Sequence, residues 1–231
     1  SSHMKVQKRG GRGYESVKFD KITARLRQLC VIPTLPQLVS VDVTQVALLT
    51  INDMYDGIST EELDMISARA AEGLKLTHPE YSCLAERILV SNLHKTTPDS
   101  FAACMKHLHN EFGLLSNVHC QYIADNADLL DAMIQHDRDY SFDYMGYKTL
   151  EKGYMMNVQV PVTGPDGKPI YTDGENDITD TERIIIRGES RVVKRGSRIA
   201  LKIKTVTRVH DRPQYVFMRE AVAIYMGSGE N

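Results

Sequence analysis

The sequence has no tryptophan, only four cysteines in 231 residues, and no apolar run long enough to span a bilayer. The cysteines, Cys30, Cys83, Cys104 and Cys120, form no C-x-x-C spacing and no evident pairing scheme. Free thiols in a reducing compartment are therefore expected rather than a disulfide framework. No signal peptide precedes the first basic residues, so the sequence predicts a soluble, cytoplasmic protein that does not associate with membranes.

The chain also has no large excess of positive or of negative charge. The 28 Lys and Arg residues are nearly balanced by 30 Asp and Glu residues, which gives a formal net charge of −2. Any anion-binding site must therefore be local. With 42% hydrophobic and 25% charged residues, the composition is that of an ordinary globular protein, long enough for one large domain or two small ones.

Both ends of the chain resemble cloning remnants. Residues 1–4 are typical of the scar left by a cleaved affinity tag, and residues 227–231 are typical of a linker that runs into a protease site. Neither segment is used to predict the fold. The chain between them is expected to be a piece of a longer protein.

Apolar periodicity predicts a mainly α-helical chain with a small β part. Helical spacing is found in the ranges 41–55, 59–76, 80–95, 97–110, 118–134, 147–154 and 214–225. Alternating residues predict short strands within a β-rich block, which also contains an acidic segment at 173–182 that is expected to be a loop. The expected domains are a β-hairpin with four helices at 5–95, further helices at 96–156, the β-rich block as an insertion at 157–211, and a last helix at 212–226.

The stretch that most suggests a binding site lies near the start of the chain. A basic, glycine-rich turn at residues 8–13 is followed by a short alternating segment at 15–19 and by Asp20, which is placed to cap a helix. In that helix Lys21 and Arg25 are one turn apart on one face. Cations that converge on the unpaired N–H groups of a helix start can hold a polyphosphate. On this pattern alone, a basic hairpin that leads into a surface helix is the simpler interpretation.

A second feature lies at the start of the third helix. Ser59 and Glu62 have the spacing of a capping box, and Asp64 follows within the first turns, on the same side as Thr60. A carboxylate and a hydroxyl beside a basic turn would suit ribose hydroxyls or an adenine amino group. The alternative is that Asp64 is an ordinary partner of the helix dipole.

The second part of the β-rich block is strongly basic. The residues concerned are Arg183, Arg187, Arg191, Lys194, Arg195, Arg198, Lys202, Lys204 and Arg208. One interpretation is a surface that meets nucleic acid or an acidic partner. The solvated face of an antiparallel sheet is favoured instead, because no aromatic residues that could stack on bases are interleaved with the basic ones.

Taken together, several motifs resemble the ATP-cone, the small regulatory nucleotide-binding domain at the start of ribonucleotide reductase large subunits. In chain order they are Lys8-Arg9-x-Gly11-Arg12, Glu15, Phe19-Asp20-Lys21-Ile22-Thr23-Ala24-Arg25 and Thr60-x-x-Leu63-Asp64. An ATP-cone by itself leaves the parent open, because the module is also found in bacterial repressors and in anaerobic reductases.

Later motifs narrow the resemblance to the class I large subunit of eukaryotes and large DNA viruses. They are Leu84-Ala85-x-Arg87-Ile88, Ser91-Asn92-Leu93-His94-Lys95, Asp137-Arg138-Asp139-Tyr140-Ser141-Phe142, Gly146-Tyr147-Lys148-Thr149-Leu150-Glu151, Arg212-Pro213-Gln214 and Met218-Arg219. The resemblance covers nearly the whole chain apart from its ends and the β-rich block. The sequence departs from the family at Gly10, where Asp is usual, and in the β-rich block, which replaces a short hairpin.

The resemblance implies an allosteric site that takes ATP as activator and dATP as inhibitor, usually with Mg²⁺. It places in this site Lys8, Arg9, Glu15, Ser16, Val17, Lys18, Phe19, Asp20, Lys21, Arg25, Thr60, Asp64 and Lys95. It also implies that Asp64 couples bound dATP to inhibition. No catalytic residue and no metal ligand of the protein is assigned in this chain.

The resemblance also implies a role for the parent protein, the reduction of ribonucleoside diphosphates to deoxyribonucleotides for DNA replication. This chain is expected to regulate that reaction without catalysing it, because the family's catalytic barrel lies beyond the matched motifs. The implied partners are nucleotide effectors, a small radical-generating subunit and further large subunits in a homo-oligomer, and no nucleic acid is expected.

Three alternatives remain open from the sequence. The chain could be a stand-alone ATP-cone module, or a nucleotide-responsive regulator that contacts DNA or a protein through the basic residues of the β-rich block. It could also be a cone that has lost nucleotide binding and serves only as a packing surface.

Overall fold

The computed structural model describes residues 4–8, 13–163, 169–177, 182–186, 189–193 and 198–228. The chain forms two compact units. The first consists of the residues up to Met155 together with those from His210 onward, and the second runs from Met156 to Val209. No helix in the described ranges is both long enough and apolar enough to cross a membrane.

The first unit begins with a small three-stranded sheet. Strands β1 (Lys5–Gln7) and β2 (Tyr14–Ser16) are antiparallel, and β3 (Ile58–Ser59) pairs with β1 in parallel. Within this sheet Val6 lies opposite both Glu15 and Ile58. Of the turn between β1 and β2, residues 9–12 lie outside the described ranges, and Gly13 closes it with a φ of +93°, a conformation that favours glycine.

Four helices follow this hairpin. They are α1 (Phe19–Cys30), α2 (Val43–Asp53), α3 (Thr60–Gly73) and α4 (Glu80–Thr96). The prediction that Asp20 caps α1 was wrong, because the helix starts one residue earlier and its N-cap is Lys18. Asp20 lies instead in the first turn of α1, where its charge still faces the positive end of the helix dipole.

The capping box at the start of α3 is confirmed. The Ser59 hydroxyl accepts a hydrogen bond from the backbone N–H of Glu62 at 3.1 Å, and the Glu62 carboxylate accepts one from the backbone N–H of Ser59 at 3.1 Å. The two backbone N–H groups are donors that the helix itself leaves unpaired. The box therefore fixes where α3 begins.

Replacing Ser59 with alanine should lower the free energy of unfolding by about 1 kcal/mol, the usual cost of losing a serine cap. Urea unfolding followed by circular dichroism measures the change. The matched control is Ser141→Ala, which removes the hydroxyl of an exposed serine that caps no α-helix. If Ser59→Ala lowered the free energy of unfolding no more than Ser141→Ala does, the cap would contribute nothing to stability.

The remaining helices of the first unit are α5 (Phe101–Phe112), α6 (Asn117–Asp125), α7 (Ala127–Met133), α8 (Tyr144–Gly153) and α9 (Pro213–Ser228), with a 3-10 helix at His136–Ser141. The single helix predicted over 118–134 is in fact two. The break is at Asn126, whose side-chain amide donates to the carbonyl of Tyr122 at 2.9 Å. Hydrogen bonds from an asparagine side chain to nearby backbone groups compete with the backbone hydrogen bonds of a helix, and therefore favour a break there.

The core of the first unit lies along α4. Ten of its residues are buried, among them Leu84, Ile88, Val90 and Leu93. Burial of such a side chain stabilises the fold by roughly 1.5–3 kcal/mol. The buried Arg87 donates from Nη1 to the carbonyl of Leu29 at 2.9 Å and from Nη2 to that of Pro36 at 2.5 Å, which holds the segment after α1 against α4.

The described residues of the second unit form six strands. Strands β4 (Asn157–Pro161) and β9 (Thr205–Val209) form an antiparallel pair, and a four-stranded sheet contains β5 (Ile170–Asp177), β6 (Glu182–Ile186), β7 (Glu189–Val193) and β8 (Arg198–Ile203). The loop prediction was wrong for residues 173–177, because the backbone of β5 pairs with β8 as far as Asp177. Residues 178–181 and most of the predicted basic side chains of this block lie outside what the structure describes.

Candidate functional site

A cavity of about 160 Å³ opens between the small sheet and the first turns of α1 and α3. Its lining consists of Val6, Lys8, Glu15, Ser16, Val17, Lys18, Lys21, Ile22, Arg25, Thr60 and Leu63. The parallel pairing of β1 with β3 creates it, because β3 runs directly into α3 and so brings Thr60 and Leu63 to the hairpin. Residues more than forty positions apart in the sequence thus meet at one site.

The charged wall of the cavity is mainly basic. Lys8, Lys18, Lys21 and Arg25 supply four cations, and Glu15 supplies one carboxylate. Lys8, Lys18 and Lys21 are exposed side chains at the mouth. The N-cap residue of α1 offers no side-chain acceptor to the first N–H groups of the helix. An anion at the mouth would therefore meet both the cations and the positive end of α1.

The opposite wall is apolar and firmly packed. Val6 and Ile22 are buried, and Val17 and Leu63 pack against the small core cluster of Val6, Met54, Ile58 and Ile66. Such a wall excludes water from the face of a ligand and cannot hydrogen-bond to it. The cavity therefore suits a ligand with a highly charged end and a flat apolar part.

Arg25 connects the cavity to the helices behind it. Its Nε donates to Oδ1 of Asp64 at 2.8 Å and its Nη2 donates to Oδ2 at 2.9 Å, which is a bidentate ion pair. Nη2 also lies 3.5 Å from the Ser91 hydroxyl on α4. Asp64 is buried, with 7% of its surface exposed, so this pair is a fixed link from α1 to α3.

The structure groups most of the sequence-predicted residues around the cavity. Lys8, Glu15, Ser16, Val17, Lys18, Lys21, Arg25 and Thr60 line it. Asp64 lies beside the guanidinium of Arg25 and is not among the residues that line the cavity.

Among the described residues, Phe19, Asp20 and Lys95 were also predicted and are not part of the lining. Phe19 and Asp20 lie in the first turn of α1, and Lys95 is an exposed residue in the last turn of α4. Arg9 lies outside the described residues. Conversely, Val6, Ile22 and Leu63 line the cavity but were not predicted as site residues, because an apolar side chain carries no local signal of binding.

Elsewhere in the first unit the thiol of Cys104 is structural. Cys104 is fully buried, burial raises the pKa of its thiol to about 12, and its Sγ donates to the carbonyl of His210 at 3.1 Å. A thiol with so high a pKa is a poor nucleophile at neutral pH. Across the described ranges, no three His, Cys, Asp or Glu side chains are grouped as metal ligands would be.

Comparison with known proteins identifies the region that holds the cavity. Residues 4–96 match the family model described as the ATP cone domain, and all of the lining residues fall within this range. The match covers the hairpin and the helices α1 to α4.

The sequence is also similar to large enzyme subunits. The ribonucleoside-diphosphate reductase large subunit of Caenorhabditis elegans is 42% identical over 161 residues, which cover 66% of this chain and 20% of that protein. The subunit of the same name from Danio rerio is 40% identical over 165 residues, covering 67% of this chain and 20% of that protein. The large subunit from Variola virus is 37% identical over 155 residues, which cover 63% of this chain and 20% of that protein. The chain thus spans about a fifth of the length of these relatives.

Proposed function

We propose that this chain, which carries an ATP cone domain and corresponds in sequence to the N-terminal region of a ribonucleoside-diphosphate reductase large subunit, binds ATP or dATP in the cavity as an allosteric effector. One observation carries the proposal. Four cations converge at the start of α1, opposite an apolar wall, inside the range that matches the ATP cone domain. A nucleoside triphosphate combines the strongly charged and the flat apolar parts that such a site requires.

The size of the cavity fits a partly buried nucleotide. At about 160 Å³ it is smaller than the roughly 300 Å³ at which pockets for drug-sized ligands begin. The adenine would lie against Val6, Ile22 and Leu63, and the phosphates would extend to the mouth, where Lys8 and Lys21 are exposed. Thr60 would offer its hydroxyl to the sugar.

The resemblance adds Arg9 and Lys95 as further contacts to the phosphates. Mg²⁺ would accompany the nucleotide, held by the phosphate oxygens as is usual for this ion.

Arg25 gives this site a physical connection to the rest of the unit. Arg25 lines the cavity and also holds Asp64 in a bidentate ion pair. A phosphate that binds to Arg25 would therefore alter this ion pair, which connects α1 to α3. ATP and dATP differ only at one hydroxyl of the sugar. A difference in how the two sugars are bound would therefore be transmitted to α3 and α4 through the ion pair of Arg25 with Asp64. Asp64 would then couple nucleotide binding to the rest of the unit and would not contact the nucleotide itself.

In the parent protein this coupling would regulate reduction of ribonucleoside diphosphates to deoxyribonucleotides. ATP would favour the active assembly with the small radical-generating subunit, and dATP would favour an inactive homo-oligomer of large subunits. The reaction itself would be carried by residues outside this chain, so the chain alone should not reduce nucleotides.

Calorimetric titration of the whole chain with Mg·ATP and with Mg·dATP tests the proposal. We expect saturable binding of both, and a rise in mass with dATP when the same titration is followed by analytical ultracentrifugation. Duplex DNA should bind weakly at low and at moderate salt. Absence of saturable nucleotide binding would refute the proposal, and tight salt-sensitive DNA binding would favour a DNA-contacting regulator.

A further inference from the structure

Glu15 is the one acidic side chain among the residues that line the cavity. It lies on β2, directly across from Val6 on β1. Its Oε2 lies 3.0 Å from Nζ of Lys8, and its Oε1 forms an ion pair with Nζ of Lys21. One carboxylate therefore bridges two of the four cations at the mouth.

These two lysines are the groups to which the proposed function assigns the phosphates. A carboxylate and a phosphate cannot both hold the same ammonium groups at ion-pair distance without repelling one another. A nucleotide that engages Lys8 and Lys21 therefore competes with Glu15 for both ammonium groups and weakens both of their pairs with it.

We propose that Glu15 is an internal counter-ion that occupies the phosphate position of the empty site and competes with the ligand for Lys8 and Lys21. This inference rests on the proposed function of the cavity. It gives Glu15 a role opposite to that of a ligand contact. Glu15 holds two like charges close together while the site is empty, and it lowers the affinity for any phosphate that displaces it.

The exposure of the three side chains sets the size of the effect. The side chains of Lys8, Lys21 and Glu15 are 49%, 59% and 36% exposed, so water screens both ion pairs. Pairs of this kind are each worth a fraction of a kilocalorie per mole, so releasing two of them corresponds to a change in affinity of about threefold to tenfold.

The test is Glu15→Gln in the whole chain, titrated with Mg·ATP beside the unmodified chain. Glutamine keeps the shape of the side chain on β2 and removes its charge. The matched control is Glu111→Gln, which neutralises an exposed glutamate on α5, outside the cavity lining. A thermal melt of each variant establishes that the fold is retained.

We expect Glu15→Gln to bind Mg·ATP about threefold to tenfold more tightly than the unmodified chain, and Glu111→Gln to bind as the unmodified chain does. Unchanged or weaker binding by Glu15→Gln would overturn the inference, and weaker binding would show that Glu15 contacts the ligand favourably. In either of those results the unmodified chain still binds ATP and the proposed function stands. If the unmodified chain binds no nucleotide, the proposed function fails, and this inference fails with it.

Discussion

Replacing Lys21 with glutamine should lower the affinity of the chain for ATP and for dATP about tenfold or more. Lys21 lies in the first turn of α1 and lines the mouth of the cavity, where its ammonium group would meet the phosphates. A hydrogen bond to a charged partner contributes about 1.5–3 kcal/mol, which corresponds to roughly a tenfold to hundredfold change in the dissociation constant.

Lys106→Gln is the control for this loss. Lys106 is an exposed lysine on α5 and is not part of the cavity lining, so its neutralisation changes the net charge by the same amount without touching the site. Calorimetry on both variants separates a local contact from a general electrostatic effect. If Lys21→Gln bound both nucleotides as tightly as Lys106→Gln does, Lys21 would not contact the phosphates, and their proposed position at the mouth of the cavity would be wrong.

Replacing Glu86 with glutamine should stabilise the protein above neutral pH. Glu86 is 1% exposed on α4, and its Oε1 has no hydrogen-bond partner. Burial raises the pKa of its carboxyl group from 4.5 to about 9, an effect that Arg87 opposes and that Asp139 and Asp143 reinforce. Glu86 is therefore protonated in the folded protein at neutral pH, whereas it is ionised in the unfolded chain.

The direction of the pH dependence follows from this difference. Because the pKa is raised on folding, the stability contributed by the protonated carboxyl is fully present below pH 4.5 and is lost as the pH rises toward and through about 9. Between pH 5 and pH 8 this group alone should lower the free energy of unfolding by about 4 kcal/mol, since each unit of pKa difference corresponds to about 1.4 kcal/mol. Glutamine does not titrate, so Glu86→Gln removes this slope.

Urea unfolding at pH 5 and pH 8 measures the effect, with the exposed Glu111→Gln as the control for an ordinary glutamate. The unmodified chain and Glu111→Gln should both lose stability between the two pH values, and Glu86→Gln should lose less by about 4 kcal/mol. A difference between the two pH values that is the same in all three proteins would show that Glu86 is ionised in the folded state.

Local rules explain what the sequence predicts well. The capping box at Ser59 depends on two residues three positions apart, and α3 begins where that spacing indicates. Lys21 and Arg25 lie on one face of α1 because the period of the helix requires it, and both line the cavity. The cationic side of the site could therefore be found without any knowledge of tertiary structure.

Contacts between distant segments explain what the sequence does not predict. Val6 and Leu63 meet because β1 pairs with β3 in parallel, and a pairing of strands only two or three residues long leaves no periodic signal. The partner of Asp64 was missed for the same reason, because its bidentate contact with Arg25 depends on how α1 packs against α3. An apolar wall and a buried ion pair are properties of packing rather than of local sequence.

The later motifs that contain Arg212 and Asp139 supply buried hydrogen bonds within the first unit. Arg212 is buried and donates from Nε to the Thr97 hydroxyl at 2.7 Å and from Nη2 to the carbonyls of Thr97 and His94 at 2.8 Å and 3.2 Å. Asp139 is fully buried, accepts from the backbone N–H of Gln214 at 2.8 Å, and lies 2.7 Å from Nε2 of His94. Removing one partner of such a buried network leaves a charge unpaired, which is strongly destabilising.

Hydrogen exchange of the whole chain, with and without saturating Mg·dATP, tests the central claim most directly because it locates the nucleotide. We predict slower amide exchange at β1 and β2, in the first turns of α1 and around Thr60 to Leu63, with little change in α5, α6 or α7. Protection confined to residues 156–209, or to helices that do not line the cavity, would contradict the assignment of the cavity as the effector site.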